Sequence, residues 1–206
     1  MKKIFFLVGF MAIVLYKGYA QIKNGLGVKA GYNWSYLTGE KEGIQFGNKT
    51  GFMAALFFAP PATKGFGYRT ELVFSRQGYS FDEGGKNMEV LNDYIYLPQM
   101  TTINIGKVLQ LQAGGQIGFL LHSREKQDQK DTTITGLMNR FDYGFVGGLE
   151  ICPFKGFMVG GRYNLGIAKL HKQFETTPSN PYPLPFNPAT TNFKNGLFQI
   201  FVGYRF

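Results

Sequence analysis

The sequence carries one cysteine, Cys152, and two histidines, His122 and His171, among its 206 residues. A lone thiol cannot close an internal disulfide, so the chain is not a disulfide-stapled scaffold. No cluster of His, Cys, Asp and Glu has convincing metal-ligand spacing, so neither a metal nor another cofactor is expected. Long apolar runs are missing as well. The stretch from Ile4 to Leu15 has 12 residues, broken only by Gly9, whereas a membrane-spanning helix needs about 20. No other continuous apolar segment has spanning length, and beyond residue 20 there is no convincing helical period of 3.6. A polar tail is lacking too: only 17% of residues are charged, and the chain runs to Phe206 on an aromatic.

What is present begins with Lys2 and Lys3, the apolar run, and small residues at Gly18 and Ala20. These read as a cleaved secretory signal over residues 1–20, with a retained anchor as the alternative. No cysteine follows the cleavage point, so lipid attachment there is not supported. Without Lys2, Lys3 and Lys17, 19 basic residues face 13 acids, a net charge of +6. A basic balance usually points to nucleic acid or an anionic surface; export argues against the first, so no nucleic acid is expected and the surface reading corresponds to anionic lipid head groups.

The remaining residues repeat with period two. Leu26, Val28, Ala30, Tyr32, Trp34 and Tyr36 share one face, against Gly27, Lys29, Gly31, Asn33 and Ser35 on the other. The same division of an apolar row from a small or polar row recurs over residues 66–77, 108–121, 141–151, 157–166 and 196–206. Segments 50–59 and 93–105 are apolar enough for strands, but their faces cannot be assigned. The count is eight. Long polar connections centred on "TGEKEGIQFGNK", "SFDEGGKN", "SREKQDQKDTTITG" and "TTPSNPYPLPFNPATT" alternate with the short "PPATKG", "GK" and "PFKG". Long loops therefore emerge at one end and short turns at the other, the pattern of an outer-membrane barrel.

A soluble eight-stranded barrel is the competing fold. It needs an apolar interior and a charged exterior. Here Lys29, Arg69, Glu71, Glu150, Arg162 and Arg205 lie among glycines and glutamines, opposite almost purely aliphatic and aromatic rows. Charges can line an enclosed lumen, while hydrocarbon demands the apolar face. Trp34, Tyr36 and Phe141 fall toward the long-loop ends and Phe66, Tyr68, Phe157, Tyr204 and Phe206 toward the short-turn ends, as two interfacial girdles would. The expected fold is all-β: an eight-stranded antiparallel transmembrane up-and-down barrel over residues 21–206, with short periplasmic turns and long external loops.

The segments "GVKAGYNWSYLTG", "YRTELVFSRQGYSF", "DYIYLPQMTTI", "FDYGFVGGLEI", "GGRYNLGI" and "FVGYRF", in this order, resemble the PorT-like family of outer-membrane β-barrel proteins. The similarity covers essentially the whole mature chain. It implies a bacterial outer-membrane location, a terminal Tyr204 and Phe206 that barrel-assembly machinery reads during insertion, and a link to secretion or cell-surface assembly.

Function is less legible. Lys29, Arg69, Glu71, Glu150 and Arg162 are expected to compensate one another inside the periplasmic half of the barrel. A narrow, porin-like channel for small solutes needs that packing to be incomplete, because eight strands leave an interior only just wide enough for side chains. His122, Ser123, Asp128 and Asp131 stand near one rim and could in principle activate a hydroxyl, but no nucleophile motif surrounds Ser123; an enzyme is not expected. Cys152 reads as a small filler residue. The last long loop holds five of the nine prolines with Tyr182 and Phe186 between them, a candidate contact surface for a protein partner or a lid over its own rim. A structural or interaction role leads, with the pore as the alternative and an outer-membrane enzyme a distant third.

Overall fold

The alternation closes into a cylinder. A computed structural model describes residues 25–39, 46–83, 86–127, 130–154, 156–172 and 192–206. The expected signal segment and the proline-rich loop with Tyr182 and Phe186 lie outside the described residues. The strands are β1 (Leu26–Thr38), β2 (Phe46–Phe58), β3 (Phe66–Glu83), β4 (Lys86–Ile105), β5 (Leu109–Gln127), β6 (Lys130–Thr133), β7 (Phe141–Phe154), β8 (Phe157–Gly166) and β9 (Lys194–Arg205). Neighbours pair antiparallel, β4 pairs with β5, and β1 pairs with β9 from Gly27↔Arg205 to Thr38↔Lys194. β6 pairs with the outer end of β5, so the barrel has eight staves and one appended strand. Closure removes every sheet edge that hydrocarbon would leave unpaired. Among the described residues no helix is long and apolar enough to cross a membrane.

The row assignments made from parity hold. The outward row carries Tyr32, Leu56, Phe66, Ile117, Phe145 and Val202, all exposed, while Lys29, Arg69, Glu71, Glu150 and Arg162 on the inward row are buried. In β2 and β4, whose faces were unreadable, Met53, Ala55 and Phe57 and Tyr94, Tyr96 and Met100 point inward. Both faces of these strands are apolar, which erases the alternation. Two inward glycines make room for rings: a Cβ at Gly27 would collide with Phe57, and one at Gly118 with Tyr96. The short turns use left-handed backbone at Lys64, Gly65, Gly106 and Gly156.

One expectation is corrected. "SFDEGGKN" is not a long loop, because the β3–β4 ladder runs on to Glu83↔Lys86, and β5 likewise continues to Gln127. The polarity of the rows reverses where these strands leave the membrane. Tyr79, Phe81, Met88 and Val90 are buried on the inner face, and the opposite row carries Arg76, Ser80, Asp82 and Glu89. Water outside and an apolar core inside is the rule for a soluble sheet, so three strands stand beyond the bilayer as a wall.

Candidate functional site

The lumen is filled in layers. At the level nearest the short turns, Lys29 Nζ donates to Glu71 Oε1 at 2.6 Å and to Glu150 Oε1 at 2.5 Å. Arg69 Nη1 reaches Glu150 Oε1 at 2.5 Å, and Arg162 Nη1 reaches Glu71 Oε2 at 2.6 Å. These five side chains come from β1, β3, β7 and β8, brought together because each occupies an inward position in the same half of its strand. Their side chains are 0–1% exposed. Three cations against two carboxylates leave one positive charge in excess. Neutral acceptors and rings offset it: Gln110 Oε1 accepts from Arg69 at 2.8 Å and Gln199 Oε1 from Arg162 at 2.5 Å. The Phe57 ring lies 4.9 Å from the Arg69 guanidinium carbon and 5.2 Å from Lys29 Nζ. Phe201 lies 4.4 Å from Lys29 Nζ and 5.6 Å from the Arg162 carbon.

Above this cluster Asn33 donates to Ser75 Oγ at 2.9 Å and accepts from Gln199 Nε2 at 2.6 Å. Higher still, Asp142 Oδ2 accepts from Tyr96 OH at 2.8 Å and from Asn195 Nδ2 at 2.9 Å. The outer end is capped by an apolar plug in which Tyr79, Phe81, Val90, Leu120, Met138, Leu170 and Phe193 are buried together. Phe46 meets Phe193 edge-on at 4.8 Å between centroids.

His171 sits within that plug, 5% exposed, with Nε2 3.0 Å from Tyr79 OH. It lies beyond the membrane rim, and burial pulls its pKa from the ordinary 6.5 down to about 3. The folded protein therefore holds it neutral while the unfolded chain protonates it. Stability from this site is full above pH 6.5 and is lost progressively as pH falls toward about 3. Denaturant unfolding measured from pH 7 to pH 4 is expected to show acid destabilisation in the parent that is reduced in His171→Gln.

The structure separates the residues considered for catalysis. A bulge between Asp93 and Tyr94 shifts the β4–β5 register, so that His122 pairs with Asp93 and Leu120 with Tyr94. Ser123 turns inward, fully buried, with Oγ donating to Asn92 Oδ1 at 2.6 Å, and Asp131 faces Arg124 at 3.9 Å. His122 is partly exposed on the other face. Asp128 lies outside the described residues. Cys152 is partly buried at the short-turn mouth. Tyr204 and Phe206 project outward with ring centroids 5.7 Å apart, and the Phe206 amide donates to Leu26 O at 2.9 Å. Sequence reading missed Phe57 and Phe201. Parity alone places Phe201 inward, between outward Ile200 and Val202.

Residues 19–172 match the sequence profile of the family described as outer membrane protein beta-barrel domain. The chain belongs to that family. No curated protein matches it by sequence. Among solved structures, Ail, the attachment invasion locus protein of Yersinia pestis, is similar at 16% identity and a TM-score of 0.50, covering 89% of this chain and 99% of Ail. Ail in complex with the heparin analogue sucrose octasulfate aligns at 17% identity and 0.51, with the same coverage. Neisserial surface protein A aligns at 13% identity and 0.50, covering 88% of this chain and 97% of its own. At these identities the likeness shows a shared fold. The protein is an outer-membrane β-barrel.

Proposed function

We propose that this barrel is a non-conducting structural or interaction protein, working through its external end in a secretion or cell-surface assembly of the PorT-like kind. One observation carries the reading: the five lumen charges are paired with one another at 0–1% side-chain exposure, beneath an apolar plug. A porin-like channel needs a continuous wet path, and this packing speaks against one. An enzymatic role is disfavoured by the opposed faces of His122 and Ser123. The partners are anionic outer-leaflet lipid, the barrel-assembly machinery during insertion, and a protein met by the β3–β5 wall and the loop bearing Tyr182 and Phe186.

A pull-down from intact outer membranes tests this reading. A discrete partner should be retained by the full chain and lost when residues 178–188 are replaced by a Gly/Ser linker. Absence of any partner, together with solute leakage through the protein, would favour the pore. For the insertion signal, deletion of Phe206 should lower outer-membrane yield far more than it lowers the melting temperature of the protein that does assemble. Normal yield would remove that role.

A further inference from the structure

Where β7 and β8 leave the membrane, Arg140, Lys169, Lys172 and Lys194 surround a recess of about 650 Å³ that also touches the outward aromatics Phe141 and Tyr143. Among the described residues, none that lines it is acidic and none of the four cations has a carboxylate partner. Two of them contact backbone carbonyls. Lys172 Nζ donates to Gly136 O at 3.0 Å, and Arg140 Nη1 donates to Leu120 O at 3.3 Å and to Leu121 O at 3.4 Å. These bonds aim Lys172 and Arg140 and supply no carboxylate among the described residues.

A second depression, about 460 Å³, runs down the lipid-facing wall and shares Tyr143 and Ile167 with the first. Leu97, Ile117 and Phe145 flank it, and Gly115 forms part of its floor. The groove exists because Gly115 has no side chain on the outward row: a Cβ there would meet nothing nearer than Gly144 O at 3.8 Å. A cationic recess at head-group level that continues into an apolar groove in the hydrocarbon has the two-part chemistry of an anionic amphiphile.

We infer that this track is a binding site for a phosphate-bearing lipid of the outer leaflet, its phosphate held by Arg140, Lys169, Lys172 and Lys194 and one acyl chain laid over Gly115. This site rests on the outer-membrane reading with anionic lipid as a partner, and narrows that partner to one face of the wall. None of its residues belongs to the lumen or to the proposed protein-contact loop, so its failure would leave conductance and partner capture unchanged.

Native mass spectrometry on the full chain in detergent tests the site, using a monophosphorylated diglucosamine lipid, its dephosphorylated counterpart and inorganic phosphate. The parent should retain the phosphorylated lipid about tenfold better than the dephosphorylated one, as expected for several basic residues at a head group. Arg140→Gln, Lys169→Gln and Lys194→Gln together should bring the ratio to within about twofold, since each removes one such charge. Gly115→Leu, which fills the groove in open space, should weaken both lipids equally and keep their ratio. Folding of each variant is checked by heat-modifiable gel mobility. Equal retention of the two lipids by the parent, an unchanged ratio in the triple variant, no effect of Gly115→Leu, or displacement of the lipid by inorganic phosphate would each overturn the assignment.

Discussion

Glu71→Gln is expected to destabilise the folded barrel by roughly 3–5 kcal/mol, the cost typical of leaving a buried partner charge unpaired. The reason lies in the count of charges around it. Glu71 takes Lys29 on one oxygen and Arg162 on the other, with Arg69 3.9 Å away. Once Glu71 is neutral, Lys29 and Arg69 share Glu150, and Arg162 has no carboxylate within reach among the described residues. Water cannot rescue them, because the side chains are 0–1% exposed. Unfolding in detergent, followed by heat-modifiable mobility or denaturant titration, reads the loss directly. A variant as stable as the parent would mean that the cluster is solvated.

Phe57→Ala combined with Phe201→Ala is expected to show the largest effect of all, and a different kind of effect. Each ring is buried, at 2% and 1% exposure, and truncation of a buried phenylalanine costs about 3–5 kcal/mol from lost burial and the cavity left behind. The same cavity lies beside Lys29, Arg69 and Arg162, so water entering it hydrates the charges. Adding Glu71→Gln in that background should therefore cost less than it does alone. A double-mutant cycle, in which neighbouring sites fail to add, measures this coupling. Simple additivity would show that the rings do not seal the cluster.

The sequence was legible wherever lipid sat on one face and polar side chains on the other. That condition holds for β1, β5, β7, β8 and β9, where parity gave both rows and where Lys29, Glu150 and Arg162 lie buried on the inward one. It fails in β2 and β4, because Phe57, Tyr94 and Tyr96 face inward opposite outward residues as apolar as themselves. It fails again above the membrane, where Tyr79 and Phe81 are apolar on the inside and Ser80 and Asp82 polar on the outside. A local pattern of polar residues there reads as loop, although the hydrogen-bond ladder continues to Glu83↔Lys86. The five charges were recognisable as lumen residues from their row, and their pairing partners were not, since contacts such as Lys29 with Glu150 join strands 121 positions apart. The rim recess was invisible for a related reason: Arg140, Lys169 and Lys194 come together only after β7, β8 and β9 are aligned.

Planar-bilayer recording on the purified parent protein tests the closed lumen most directly. A lumen sealed by the Lys29–Arg69–Glu71–Glu150–Arg162 cluster and the plug around Phe193 predicts no discrete current steps from the parent. Sustained, ion-selective steps from the unmodified protein would contradict it.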